Sequence, residues 1–348
     1  MGRDLLANPY GRFYYLPSCL AERGHEIHHL LLDYRNGEAV DIERNGMRWM
    51  SEPLTLSGGY LKKLQSVVRA VRPDWIIGCS DTYFGILAQH YACKHGMRSC
   101  IDAYDNYESY MPWMLPLHML WRRALARADL ITAAGPGLLA YMSAGRAGKP
   151  AAVVPMAADP VGFVPLDRTE CRRKLGLPGS RQLVGYCGSL HRSRGVKVLF
   201  DAYEMLLQQH PDVGLVLSGR QWKNQPAPGY ATSLGYIEDE LMPHLLNSMN
   251  VLTIINRASR FGNHSHPVKL YEAMRCGVPV VATRTPATEW ILADNQECLA
   301  DPGDPQDLCR RLAASLEASA PVYKGITDWQ GSACSFEQAL LEAETKGS

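Results

Sequence analysis

Two charged side chains lie three residues apart where a short helix is predicted at the edge of a parallel sheet. In "HPVKLYEAMRCGVPVVAT", Pro267 suits the first helical position, with Ser265 or His266 as cap, and a buried strand follows the glycine. The amino end of such a helix favours an anion, and Lys269 stands in its first turn. Glu272 could accept hydrogen bonds from sugar hydroxyls attached to that anion. The stretch therefore predicts a nucleotide diphosphate site, the alternative being a solvated glutamate on a surface helix.

A second stretch, "YCGSLHRSRGVKVLF", follows a predicted strand and opens a helix. Gly188 lets the backbone approach a phosphate, and Arg192 and Arg194 can grip one bidentately. The stretch has neither the G-x-G-x-x-G nor the P-loop pattern, which disfavours nicotinamide and P-loop nucleotides. An ordinary solvated basic loop is the alternative.

The elements that position these residues alternate along the whole chain. Continuous apolar strands such as "DWIIGCS", "QLVGYCGS" and "NVLTIIN" are separated by helical patterns such as "GVKVLFDAYEMLLQQHP". This order predicts parallel sheets covered on both faces, in two Rossmann-like domains that face each other across a cleft. Ligands of such sheets lie beyond the carboxyl ends of the strands, so the cleft is the expected site.

We place a first Rossmann-like domain at residues 1–163, a second at residues 164–325 and a final helix at residues 326–348. The first domain begins with little of its central first strand, since only "DLLA" could serve. We therefore expect that strand to be truncated and the sequence to start a few residues late.

Composition excludes several classes of function. The 348 residues carry a formal net charge of +1, which disfavours a general nucleic-acid binder. The ten cysteines are scattered without any C-x-x-C pair, so no zinc site is predicted and a reducing cytosol is expected. We expect no signal peptide, and no run of about 18 apolar residues predicts a transmembrane helix.

Five segments in order resemble the family 4 glycosyltransferases of the GT-B fold. They are "LAERGHEI", "VVPMAADPVGFVP", "YCGSLHRSRGVKVLFDAYEML", the pair "GYIEDELMPHLLNSMNVLTI" and "HPVKLYEAMRCGVPVVAT", and "DWQGSACSFEQALLE". The last segment resembles the final helices of that family, which cross back to the first domain. The resemblance implies a retaining enzyme that moves a sugar from a nucleotide-diphosphate sugar to a glycan or lipid-linked acceptor. UDP- or GDP-sugar would be the donor substrate, with no other cofactor and no metal.

The resemblance also implies roles for individual residues. Glu272 is similar to the second glutamate of the family's E-x7-E motif and would bind ribose, Arg194 takes the place of the loop lysine, and Gly188 matches the loop glycine. The implied catalytic residues are Glu272, Arg194, Lys269 and Asp105. The implied nucleotide-sugar-binding residues are Gly188, Ser189, Arg192, Arg194, His264, Pro267, Lys269, Leu270 and Glu272. The implied acceptor-side residues are Tyr10, Gly11 and Asp102.

Three positions depart from the family pattern. His264 stands where the first glutamate of E-x7-E, which contacts the donor sugar, is expected. Ser189 stands at the usual loop arginine, so Arg192 or Lys269 would substitute for it. The first-domain histidine is missing from "IDAYDNYESY", where Asp102 or Asp105 occupies the region. Asp105 could instead be a loop residue or a helix cap.

The acceptor side leaves further alternatives open. The segment "YMPWMLPLHMLWRRALARA" could dock on an anionic membrane, as a lipid-linked acceptor would require, or it could be a core helix with a basic outer face. We expect a cytoplasmic protein, peripheral on the inner membrane face if it docks, and a role in polysaccharide or glycoconjugate synthesis. The rival functions are a GT-B-type nucleotide-sugar epimerase and a non-catalytic nucleotide-sugar-binding relative.

Overall fold

The computed structural model describes residues 5–34, 37–55, 58–146, 148–222, 225–319 and 321–346. The chain divides into two compact units. Unit 1 consists of Met1–Met156 and Trp329–Ser348, and unit 2 consists of Ala157–Asp328. The final helix therefore belongs to unit 1, and the sequence-based boundaries at residues 163 and 325 lie a few residues from these limits.

Unit 1 alternates strands and helices over most of its length. Its elements are α1 (Arg12–Glu22), β1 (Ile27–Asp33), β2 (Val40–Arg44), β3 (Met47–Pro53), α2 (Gly59–Val71), β4 (Trp75–Cys79), α3 (Thr82–His95), β5 (Arg98–Ala103), α4 (Leu115–Arg127), β6 (Leu130–Ala133), α5 (Pro136–Ser143) and β7 (Ala151–Val153). The last helix of the chain, Trp329–Lys346, packs on α1, where the rings of Tyr15 and Trp329 stack with centroids 5.6 Å apart.

The strands of unit 1 form two sheets in the described part of the chain. The order β4-β5-β6-β7 is parallel throughout, as the apolar strands predict. The order β1-β3-β2 contains an antiparallel hairpin, so the expectation of purely parallel sheets is wrong for β2 and β3. Asn45 and Gly46 both have positive φ in its two-residue turn, as tight hairpins require. Of the expected first-strand remnant, residue 4 lies outside the described residues and residues 5–7 form a turn.

Unit 2 is built around one fully parallel six-stranded sheet of order β10-β9-β8-β11-β12-β13. Its elements are α6 (Arg168–Leu175), β8 (Leu183–Cys187), α7 (Lys197–Gln209), β9 (Gly214–Ser218), β10 (Thr232–Gly235), α8 (Met242–Asn247), β11 (Val251–Ile254), α9 (Val268–Arg275), β12 (Val280–Thr283), α10 (Pro286–Ile291), β13 (Leu299–Ala300) and α11 (Pro305–Glu317). With the final helix numbered α12, these complete the elements. The two units thus have the predicted Rossmann-like α/β construction.

Burial explains why these strands are continuous apolar runs. Every residue of β11 and of β12 is buried, because helices cover both faces of the sheet. Helix α7 contributes Leu199, Tyr203 and Leu206 at helical spacing to the same core and packs against α11.

Helix α9 begins one residue later than predicted. Pro267 is the amino-terminal cap, with extended ψ, and Val268 is the first helical residue, so neither Ser265 nor His266 is the cap. The shift is small because a proline fits either position. Lys269 remains in the first turn, and Gly277, with φ of 67°, follows the helix end as predicted.

Candidate functional site

The candidate donor site lies at the carboxyl edge of the unit 2 sheet, where the strand order reverses between β8 and β11. The loops that follow these two strands touch. The Arg194 guanidinium carbon lies 4.6 Å from the ring centroid of Phe261, and a Cβ at Gly195 would lie 2.6 Å from Cγ of Arg257. The topology therefore brings both sequence-predicted stretches to one edge of one sheet.

The loop after β8 is held closely against the neighbouring strand. The Gly188 amide donates to the Ser218 carbonyl at 2.9 Å, and a Cβ at Gly219 would lie 2.1 Å from the Gly188 oxygen. Only glycine at 219 permits this approach, since its φ of 127° also lies in the region that L side chains rarely adopt. The close packing of Gly188 on the neighbouring strand thus depends on Gly219, a glycine that the sequence analysis did not single out.

Ser189 is held through both its side chain and its backbone, and only the side-chain contact requires a serine. Its hydroxyl accepts a hydrogen bond from the Trp222 indole nitrogen at 3.0 Å, and its carbonyl accepts one from the Tyr186 hydroxyl at 3.1 Å. Trp222 also packs its ring edge against His191, with centroids 5.1 Å apart, and lies under Arg220. An aromatic group therefore adjoins the position where the family pattern has an arginine.

A cavity of about 460 Å³ opens beside this loop at the ends of β8, β11 and β12. Arg192, Lys197 and Arg257 line it together with Asn256 and Thr283. Lys197 is paired with Asp201, its ammonium 2.6 Å from a carboxylate oxygen. Within the described part of the chain, the other two cations have no hydrogen-bond or ion-pair partner for their side chains. Such a cavity suits a polyanionic ligand.

Arg257 was missed by the sequence analysis. It follows β11 in "INRASRFG", where a single arginine in a loop resembles any solvated cation. Among the described residues, Glu272, Lys269 and Arg194 do not line the cavity, although they stand on the loops and helix at the same sheet edge.

Glu272 is buried and ion-paired. It is 1% exposed, and its Oε2 lies 2.6 Å from the Lys269 ammonium, whose side chain is 22% exposed. Residues three apart on a helix are neighbours, which is why the spacing places this pair together. In this pair the positive charge of the lysine offsets the negative charge of the buried carboxylate. Leu270, the other α9 residue of the predicted site, is fully buried in the core.

The end of β8 lies within electrostatic reach of this pair. Burial raises the pKa of the Cys187 thiol to about 12, Lys269 opposes that rise, and Glu272 adds to it. Cys276, just beyond α9, responds to the same two charges. The charges of α9 therefore act on the end of the strand that leads into the Gly188 loop.

His264 lies in a single 3₁₀ turn, Gly262–His264, ahead of α9. Its Nδ1 is 3.0 Å from the Arg260 carbonyl oxygen. A carbonyl oxygen only accepts, so Nδ1 is the donor in this contact. A histidine here can donate or accept hydrogen bonds, whereas a glutamate at this position could only accept.

Asp102, expected on the acceptor side, is buried inside unit 1. Arg12 donates to both of its oxygens, from Nε at 2.7 Å and Nη2 at 2.6 Å, and the Thr132 hydroxyl donates at 2.6 Å. Arg12 also donates to the Val154 carbonyl at 2.8 Å. The network ties α1 to the ends of β5, β6 and β7, a structural role that the sequence did not reveal.

Two of the other unit 1 candidates, Asp105 and Tyr10, lie within electrostatic reach of Tyr104. Burial raises the pKa of Tyr104, with further contributions from Asp105 and then Tyr10, so these three side chains are near one another. Asp105 accepts a hydrogen bond from the Tyr110 hydroxyl at 2.7 Å. The 3₁₀ turn Tyr107–Ser109 is capped by Asn106, so Asp105 is not a helix cap. Gly11, with φ of 69°, caps α1.

A strained turn after β4 was also missed. Ser80 has φ of 77°, an unusual value for a non-glycine residue that often marks functional turns. Burial raises the pKa of Asp81, which accepts a hydrogen bond from the Tyr83 hydroxyl at 2.8 Å. The buried Thr82 hydroxyl has no partner among the described residues. The only sequence signal was "CSDT" directly after an apolar strand.

Two searches of the described residues gave negative results. No group of three or more histidine, cysteine, aspartate or glutamate side chains is placed to hold a metal ion there. Among the helices in those residues, none combines the length and apolar character needed to cross a bilayer.

Comparison with known proteins covers both units. A family model described as "Glycosyl transferase 4-like domain" matches residues 12–157, and one described as "Glycosyl transferases group 1" matches residues 181–318. Together the two matches span most of the chain.

Two relatives by sequence illustrate the level of similarity. D-inositol 3-phosphate glycosyltransferase of Corynebacterium jeikeium is 29% identical over 222 residues, 56% of this chain and 52% of that protein. Lipopolysaccharide core biosynthesis mannosyltransferase LpsB of Rhizobium meliloti is 27% identical over 194 residues, 52% of each chain. The chain thus spans about half the length of the curated relatives that it matches.

Solved structures share the fold of the whole chain. Sucrose-phosphate synthase from Thermosynechococcus elongatus superposes with a TM-score of 0.75 at 15% identity, over 96% of this chain and 92% of that one. Anabaena HepE in complex with UDP gives 0.66 at 17% identity, over 87% of each chain. These likenesses show the GT-B fold.

Proposed function

The chain belongs to the family 4 glycosyltransferases, and from this premise we propose that it transfers a sugar from a nucleotide-diphosphate sugar to a glycan or lipid-linked acceptor, with retention of anomeric configuration. The observation that carries the proposal is the buried Glu272–Lys269 pair, whose partly exposed ammonium stands in the first turn of α9. Unit 2 is the proposed donor unit, and unit 1 is the proposed acceptor unit.

We propose a UDP- or GDP-sugar as donor. Structural neighbours support the uridine form, since one structure of HepE is a complex with UDP-glucose and an Escherichia coli trehalose-6-phosphate structure has UDP-2-fluoro glucose bound. Sequence relatives such as LpsB are named mannosyltransferases, so mannose is a second candidate for the transferred sugar. Uridine and guanosine diphosphate sugars therefore both belong in the first substrate panel.

The proposed roles follow the charges at the sheet edge. Glu272 accepts hydrogen bonds from the ribose hydroxyls, and the Lys269 ammonium turns toward the diphosphate. Arg194, held over the Phe261 ring, adds a fixed positive charge as the leaving diphosphate becomes more negative. Gly188 allows backbone amides to approach the phosphates, and Arg192 lines the adjacent cavity.

The proposed reaction exchanges one bond at the anomeric carbon for another. The bond from that carbon to the phosphate oxygen breaks, and a bond to the acceptor hydroxyl oxygen forms on the same face. The hydroxyl proton passes to the departing phosphate oxygen, so the route needs no strong protein base. Asp105 is the candidate for orienting the acceptor hydroxyl, near Tyr10 and Tyr104.

We further propose that the acceptor belongs to a cell-surface polysaccharide or glycoconjugate, and that the chain works in the cytoplasm at the inner membrane face. The names of sequence relatives support this class, among them O-antigen chain mannosyltransferase B of Escherichia coli and phosphatidyl-myo-inositol mannosyltransferase of Mycobacterium tuberculosis. His264 and Ser189, which depart from the family pattern, favour a non-catalytic nucleotide-sugar-binding relative as the second candidate.

The test is turnover of UDP-glucose and GDP-mannose, followed by nucleoside diphosphate release and by proton NMR of the sugar. We expect slow release without acceptor, with the sugar appearing first in the anomeric configuration of the donor. Glu272→Ala should lower release on the order of 10²-fold or more, whereas Glu289→Gln, at an exposed carboxylate on α10, should not. Binding without release would support the non-catalytic relative, and an epimerised nucleotide sugar without release would support the epimerase.

A further inference from the structure

The segment that leads into α4 exposes an unusual number of large apolar side chains. Trp113 is 72% exposed and Met119 is 74% exposed. The members of this group, together called the 110–127 face, are Tyr110, Trp113, Met114, Leu115, Met119, Leu120, Arg123 and Arg127. Clustered exposure of this kind marks an interaction surface, whereas single exposed apolar residues do not.

The opposite side of α4 holds the helix in place. Trp121 and Leu125 are buried, and Trp121 packs so tightly that a Cβ at Gly85 would lie 2.5 Å from its ring. Arg122 donates from Nε to Glu108 at 2.8 Å, which anchors the helix and neutralises that arginine. The core thus explains the buried side of α4 and leaves Trp113, Met119 and Leu120 largely exposed.

Four of the exposed side chains form one stripe along α4, apolar in its first half and basic in its second. Leu115 and Met119 lie four residues apart in the first half, and Arg123 and Arg127 continue the same spacing in the second. The Lys149 ammonium adds a further positive charge at this end, 3.2 Å from the Arg127 carbonyl. From residue 109 to residue 128 the sequence contains no aspartate or glutamate.

We propose that the 110–127 face docks on an anionic phospholipid surface. Trp113, Met119 and Leu120 would insert at the level of the acyl-chain boundary, and Arg123 and Arg127 would bind lipid phosphates. A tryptophan is suited to that boundary, because its ring is apolar and its N–H remains near the headgroups.

Charge disfavours the alternative of a symmetric dimer through this face. In a two-fold interface the 110–127 face of one chain packs against the same face of the other chain. Residues 109–128 contain no aspartate or glutamate, so this segment offers no carboxylate to pair with the arginines of the other chain. An anionic bilayer supplies the missing negative charge. The inference rests on the proposed function only in that a lipid-linked acceptor would lie in such a surface.

The test is co-sedimentation of the full chain with vesicles of phosphatidylcholine alone and of phosphatidylcholine with phosphatidylglycerol. We expect the chain to sediment with the anionic vesicles at low salt and to be released at high salt. Combined replacement of Trp113, Met119 and Leu120 by serine should weaken binding at least about tenfold. Arg123→Gln and Arg127→Gln should each weaken it about fivefold at low salt. Val322→Ser, which removes an exposed apolar side chain of unit 2, is the control and should bind as the unchanged protein does.

Three results would overturn the inference. They are a folded chain that stays in the supernatant with anionic vesicles, a serine variant that sediments as well as the unchanged protein, and light scattering that shows a dimer lost in that variant. Nucleotide-induced thermal shifts measured on the same proteins separate the two proposals. Loss of vesicle binding with the shift intact would count against the 110–127 face alone, and loss of the shift with vesicle binding intact would count against the donor site alone.

Discussion

In each unit a buried carboxylate lies near the carboxyl edge of a parallel sheet, and the two, Asp102 and Glu272, are partnered differently. Asp102 in unit 1 is held through both oxygens by Arg12, and both side chains are almost fully buried, at 2% and 1% exposure. Glu272 in unit 2 is equally buried, but its partner Lys269 is partly exposed and reaches it from the first turn of a helix. The enclosed Arg12–Asp102 pair holds α1 against the sheet of unit 1. The Lys269–Glu272 pair can rearrange around a ligand, because its cation is partly exposed.

The largest effect is expected in unit 1, from removing the cation that pairs with Asp102. Arg12→Met leaves the Asp102 carboxylate buried without its cation, and we expect a loss of about 3–5 kcal/mol in the free energy of unfolding. Denaturant unfolding followed by circular dichroism measures it. Arg48→Met removes an exposed ion pair with Asp41 on the same unit and should cost less than about 1 kcal/mol. Equal stability of the two variants would contradict a structural role for Asp102.

Acid should weaken unit 1 through His29, whose ring stacks on Trp49 with centroids 4.8 Å apart. Burial lowers the pKa of His29 to about 4. The unfolded chain binds this proton below about pH 6.5 and the folded chain does not, so the free energy of unfolding falls as pH drops from about 6.5 to 4, by at most about 3 kcal/mol. Unfolding at several pH values measures the slope, and His29→Phe should flatten it. An unchanged slope in that variant would assign the effect to other groups.

In unit 2 the comparison predicts a loss of activity. Glu272→Ala should lower kcat/KM on the order of 10²-fold or more, because one or two charge-assisted hydrogen bonds to the donor are lost. Steady-state kinetics with the donor identified by turnover measures the change. Glu289→Gln, which alters a carboxylate that is 46% exposed on α10, is the matched control. Its kcat/KM should stay close to that of the unchanged protein. Near-normal activity of a folded Glu272→Ala protein would remove Glu272 from the site.

The smallest expected effect concerns the cations of the cavity. Arg257→Ala should weaken nucleoside diphosphate binding about tenfold, since an exposed guanidinium contributes less than a buried one. Isothermal titration with the diphosphate measures the affinity. Arg168→Ala, an exposed arginine of unit 2 on α6, serves as the control. Equal affinities of the two variants would show that the cavity beside Arg192 does not take the phosphates.

Much of the fold could be predicted from the sequence, because parallel strands buried on both faces are short apolar runs bounded by glycine and proline. The hairpin of β2 and β3 was not predicted, although Asn45 and Gly46 form the strongest short-range turn signal. It was missed because an alternating α/β pattern elsewhere suggested parallel pairing throughout.

The site could be predicted only where its residues are local in sequence. The three-residue spacing of Lys269 and Glu272 makes them neighbours on any helix, and the structure shows their ion pair. The burial of Glu272 depends on tertiary packing, and the pairing of Arg12 with Asp102 spans 90 residues. No local pattern contains that information, and for the same reason Arg257 could not be told from a solvated loop arginine.

The most direct test of the account is a thermal-shift panel of UDP, GDP, ADP and their sugars on the unchanged protein and on Glu272→Ala. The account predicts that a uridine or guanosine nucleotide stabilises the unchanged protein and that the shift is lost in the variant. Absence of a shift with every nucleotide, or an equal shift in both proteins, would contradict the assignment of Glu272 to a nucleotide-sugar site.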